Sequence, residues 1–96
     1  MRKNQIQLPA CYEKIQLIIA VTTGNKVRDI SPHSNLVTDL GLSLSFDLPE
    51  IVATLNHEYE ADSLNLITAE VREELEAAEP TVLELAKIVQ EVRDLG

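Results

Sequence analysis

DLGLSLSFDLPEIVATLNHEYEAD, residues 39–62, is the stretch that decides the fold. Asp47, Leu48, Pro49 and Glu50 read as a capping box: Asp47 holds a free backbone N–H, and Glu50, three residues on, reaches back to it. In that register Pro49 falls in the first turn, where no backbone N–H is needed. Leu48, Ile51, Val52, Leu55 and Tyr59 then recur at helical spacing, which predicts a helix from about Asp47 to Glu60. Asp47, Glu50, Thr54, His57, Glu58 and Glu60 remain for its outer, acidic face. Ser45 stands at the mouth of this helix, a few residues after the turn former Gly41.

Working outward, Leu8 and Pro9 suit a first helix start. Cys11, Ile15, Ile18, Ile19 and Thr22 share one face, and Gly24 suits a left-handed stop. The β-branched run 18–23 argues for a strand, but the length and Gly24 favour a helix. Residues 24–46 form a long connection rich in turn formers, with Val27, Ile30, Leu36, Val37 and Leu40 placed to pin it to the core. Beyond residue 62, Leu64, Ile67, Val71, Leu75 and Ala78 predict a third helix over about 68–78, with Thr68 able to cap it and Pro80 breaking it. Thr81 and Glu84 form a second capping box, followed by the apolar stripe Val82, Leu85, Ala86, Val89 and Val92. Residues 1–7 read as a polar lead, and Gly96 closes the chain. The expected architecture is all-α: a small four-helix bundle with a long loop between its first and second helices.

The composition narrows the function. A chain of 96 residues reads as one domain, 1–96, with a modest core and no room for an elaborate active site. With one Phe, two Tyr and no Trp, that core rests on Leu, Ile and Val. The net charge is −8, and residues 29–71 hold eight carboxylates with no Lys or Arg. Such a field repels nucleic acid and attracts basic protein surfaces. Cys11, the lone cysteine, has no disulfide partner within the chain and no activating base near it in sequence. A reducing, cytoplasmic setting is expected, with no signal peptide and no membrane span. His33 and His57 stand alone, so no metal site is expected, and no phosphate loop or nucleophile elbow occurs.

The same residues resemble the acyl carrier protein family. Asp39-Leu40-Gly41 matches that family's turn, Glu50 stands five residues after Ser45 as its glutamate does, and Ile51, Val52, Leu55 and Tyr59 match its helix. Ile30-Ser31-Pro32 with Leu36 is similar to the loop before the motif, and Thr81-Val82 to the start of the last helix. The resemblance runs from about residue 15 to residue 92. Departures are Leu44 in place of aspartate before the serine, Phe46 in place of leucine, one extra residue after Gly41, and a longer segment over 61–79. They imply a specialised carrier.

What the resemblance implies is a carrier and not an enzyme. Ser45 would bear a 4′-phosphopantetheine arm taken from coenzyme A by a separate, metal-dependent phosphopantetheinyl transferase. The arm's thiol would carry acyl groups as thioesters to partner enzymes of fatty acid, polyketide or lipid biosynthesis. Asp39, Asp47, Glu50 and Glu58 would meet basic docking surfaces on those enzymes, and the carrier would be a monomer. A free-standing carrier and an excised domain both fit the sequence, with Met1 and the short ends favouring the first. Ser43 and Ser63 are the rival attachment sites. Ser43-Leu44 repeats the family's Ser-Leu pair but shifts Glu50 two positions out of register. Asp62-Ser63-Leu64 is the family's literal triplet, yet no glycine turn precedes it and Thr68 stands where the glutamate belongs. Two other readings are a carrier-like interaction module that is not modified, favoured by Leu44, and a peptidyl or aminoacyl carrier, disfavoured because neither glycine nor histidine precedes Ser45.

Overall fold

Apolar residues three and four apart form a helix stripe that must be buried against another element, and this sequence has four such stripes. A computed structural model describes residues 8–95, without the side chain of Asp62. The readings of residues 1–7 and Gly96 lie outside the described residues. The helices are α1 (Tyr12–Thr23), α2 (Asp47–Glu58), α3 (Thr68–Ala77) and α4 (Val82–Leu95). Helix α1 packs on α2 and α4, and α3 packs on the same two, so the four close a small bundle. Among the described residues there is no strand, only one antiparallel bridge between Asn35 and Thr81.

The ends of α1 follow from its turn residues. The Tyr12 N–H donates to the Pro9 carbonyl at 3.0 Å. Pro9 therefore heads the entering turn, and α1 begins three residues later than its position suggests. At the other end Gly24 adopts φ 77° and donates its N–H to the Ala20 carbonyl, a left-handed stop that costs glycine nothing sterically. Cys11, Ile15, Ile18 and Ile19 are buried as expected, and so are Tyr12 and Ala20.

The long connection over 24–46 forms part of the core. Ile30, Leu36, Leu40 and Leu42 are all buried. The Leu36 N–H donates to the Pro80 carbonyl at 2.6 Å, and the Leu42 N–H to the Leu36 carbonyl at 2.8 Å. Val82 and Leu83 donate to the carbonyls of Ser34 and Pro32. The loop is thereby sewn to the start of α4. Gln16 reaches from α1 to the carbonyls of Val27 and Ile30. Val27 and Val37, expected to help pin the loop, are instead 40% and 42% exposed. Near Val37 the Asn35 side-chain oxygen accepts the N–H groups of Val37 and Thr38. This turn leaves Leu36 buried and Val37 in solvent.

Helix α3 ends at Ala77, and its start has no side-chain cap, so Thr68 is its first residue and not a cap. Val71 and Leu75 are buried, whereas Ile67 is 49% exposed. The segment before α3 is held by Asn56 of α2, whose amide donates to the Leu66 carbonyl and accepts the Leu66 N–H at 2.8 Å. At α4, Thr81 Oγ1 accepts the Glu84 N–H at 3.2 Å. The returning half of that box has no donor to accept, because the Thr81 N–H is already given to the Glu79 carbonyl at 2.7 Å. Near the chain's end the Arg93 guanidinium lies 4.5 Å from the centre of the Tyr59 ring. Cys11 is buried, its Sγ 3.5 Å from the Ala86 carbonyl, and burial pushes its thiol pKa up. That makes Cys11 a packed residue rather than a nucleophile.

Candidate functional site

The start of α2 is built differently from its expected capping box. Ser43, not Asp47, is the cap. Its Oγ accepts the N–H groups of Ser45 and Phe46 at 3.2 and 3.1 Å, and its carbonyl accepts those of Asp47 and Leu48. In return Asp47 Oδ2 accepts the Ser43 N–H at 2.9 Å. A helical turn over 44–46 thus precedes the regular helix. The sequence signal was a serine followed four residues later by an aspartate, a reciprocal pair one residue longer than the usual box. Replacing Ser43 with alanine removes the cap and is expected to cost about 0.5–2 kcal/mol. Thermal unfolding followed by circular dichroism measures it, and an unchanged midpoint would discard the cap.

The cap fixes what each candidate serine can do. Ser43 is partly buried, and its hydroxyl oxygen already accepts two N–H groups. Ser45 is exposed, and among the described residues its hydroxyl makes no hydrogen bond. Ser63 is exposed but sits at the far end of α2, after the short turn Glu60–Asp62, in the left-handed conformation with φ 59°. A helix the length of α2 puts about 18 Å between its ends. Gly41 has φ 71°, a conformation a glycine adopts without strain, and it delivers the chain to the cap.

Ser45 borders an open cleft of about 440 Å³ between the start of α2 and the outer face of α3. Leu44, Pro49, Thr68 and Ala69 line it, together with Arg72, Glu73 and Glu76. The α3 residues recur at three-and-four spacing, so the stripe was readable in the sequence, but nothing there tied it to Ser45. Phe46, beside Ser45, is 84% exposed. Its exposure follows from the cap, which turns Phe46 outward in the first turn while Leu48 is buried. A second, smaller groove of about 240 Å³ runs between α1 and α2 past Leu17, Val21 and Thr54.

The four carboxylates expected to face partners differ in their surroundings. Asp39 Oδ2 accepts the Asn35 N–H at 2.8 Å, and Asp47 closes the cap. Glu58 pairs with Lys14 of α1 at 2.9 Å. The hydrogen bond and charge of Lys14 hold the Glu58 carboxyl below its ordinary pKa. Glu50 is exposed, and its side chain has no bond among the described residues. Glu50 therefore faces solvent with no bond among the described residues, Asp39 and Asp47 each hold a backbone N–H, and Glu58 is paired with Lys14.

No family model, curated protein or solved structure matches the chain. Among the described residues no cluster of His, Cys, Asp or Glu gathers to hold a metal ion. None of their helices is long and apolar enough to cross a membrane.

Proposed function

We propose that this protein is an acyl carrier, bearing a 4′-phosphopantetheine arm on Ser45 and presenting acyl groups to partner enzymes of fatty acid, polyketide or lipid biosynthesis. The observation that carries the reading is the state of Ser45: an exposed, unbonded hydroxyl at the mouth of an acidic helix, opening onto a cleft. Ser43 is occupied as a cap, and Ser63 lies at the wrong end of α2. The residues fit the arm, since Ser45 Oγ is free to be esterified and Leu44, Pro49 and Ala69 offer apolar surface beside it.

On loading, Ser45 Oγ bonds to the pantetheine-bearing phosphorus of coenzyme A. The P–O bond to adenosine 3′,5′-bisphosphate breaks, and the hydroxyl proton passes to the transferase. When bound, the arm supplies a thiol that holds acyl groups as thioesters. The chain's own work is to keep Ser45 exposed on a capped helix and to present Phe46, Asp47 and Glu50 around it. The exposed Phe46 supplies apolar contact, and the carboxylates supply attraction to a basic surface. The working form is a cytoplasmic monomer that meets each enzyme transiently.

Glu50→Lys is the cleanest test of docking, because the Glu50 side chain holds nothing in the fold. Its affinity for a phosphopantetheinyl transferase is expected to fall roughly five- to tenfold at low ionic strength, with the difference fading as salt rises. Equal affinities would remove the acidic face from the account. The reading as a whole is tested by incorporation of the arm from coenzyme A, read as a gain in mass. A second reading, an unmodified interaction module, is favoured by Leu44 before the serine, and absence of that gain would select it.

A further inference from the structure

A phosphodiester on Ser45 would be an anion within residues 29–71, which hold eight carboxylates and no Lys or Arg, and it needs a counter-charge. The usual source is the unbonded N–H groups at a helix start. Here those of Ser45, Phe46, Asp47 and Leu48 are all given to Ser43, and that of Ser43 to Asp47, which leaves only the Leu44 N–H unbonded among the described residues of this turn. The other source is a cation. No Lys or Arg occurs over 29–71, and the first one after that run, Arg72, lines the same cleft as Ser45. Its Nε donates to Glu76 Oε2 at 3.3 Å, with the two side chains 45% and 53% exposed. An exposed pair at that distance is weak. A guanidinium has five N–H donors, and among the described residues neither terminal nitrogen of Arg72 makes a bond. Glu73 and Glu76 share the cleft and oppose a second anion, so the phosphate and Glu76 compete for one guanidinium.

We propose that Arg72 is the counter-ion of the phosphodiester on Ser45 and holds the base of the arm against α3. The proposal rests on the carrier reading. It is tested by incubating the wild type, Arg72→Gln and Glu76→Gln with coenzyme A, magnesium and a broad-specificity transferase, checking each by intact mass, and recording the phosphorus NMR line of the loaded proteins at low and high salt. The wild-type line is expected to move as salt rises. In Arg72→Gln it should already sit at the high-salt position and stay there. In Glu76→Gln the salt-dependent movement should grow, because Arg72 has lost its competitor. A role for Arg72 in the helix pair alone would make the two variants behave alike. An unchanged line in loaded Arg72→Gln overturns the proposal and leaves the carrier reading standing. Loading that fails in Arg72→Gln alone overturns it in favour of a contact with the transferase. No mass gain in any of the three overturns the carrier reading itself.

Discussion

Ser45→Ala is expected to abolish attachment of the arm while leaving the helical spectrum and melting temperature unchanged. The first half follows from chemistry, since a methyl group has no oxygen to esterify. The second half follows from the fold. Ser45 contributes only its backbone N–H to the Ser43 cap, and its side chain is exposed and unbonded, so truncation leaves neither a cavity nor an orphaned partner. The pairing of a total loss of loading with an intact fold distinguishes an attachment residue from a structural one. Arm attachment that persists in Ser45→Ala would move the site to Ser63 or Ser43, and peptide mapping would tell which.

Leu36→Ala is expected to produce a large loss of stability, although Leu36 belongs to no helix. Its side chain is fully buried, and its backbone joins the loop to Pro80 and Leu42. Removing three buried carbon atoms costs about 2–5 kcal/mol, against a total of about 5–15 kcal/mol for a domain. The midpoint of thermal unfolding should fall by roughly 10 °C or more. A change below about 1 kcal/mol in urea unfolding would mean that the 24–46 connection does not share the core. Because that connection ends in the Ser43 cap, its integrity also governs how firmly Ser45 is presented.

The helices were legible because burial imposes its period on the sequence. Leu48, Ile51, Val52 and Leu55 announce α2, and Val82, Leu85, Ala86 and Val89 announce α4 just as clearly. Their ends were harder to read. Asp47 and Glu50 satisfy a capping pattern as well as Ser43 and Asp47 do, and only the path of the chain after Gly41 selects the second pair. Pro9 and Thr68 were misplaced for a similar reason, since a residue fit for a first turn is also fit for the turn before it. Within the loop, hydrophobicity alone could not separate Leu36, which faces the core, from Val37, which the Asn35 turn leaves in solvent. At the site, Ser45 and Glu50 were readable as local spacing. Arg72 was not, because the link between Ser45 and α3 exists only once the bundle closes.

The central claim is that Ser45 accepts an arm. Its most direct test is the intact mass of the wild-type chain after incubation with coenzyme A, magnesium and a broad-specificity phosphopantetheinyl transferase, followed by peptide mapping. The expected result is a gain of one phosphopantetheine, on the peptide holding Ser45. An unchanged mass in a chain that keeps its helical spectrum would contradict the claim and leave an acidic four-helix module that acts by contact alone.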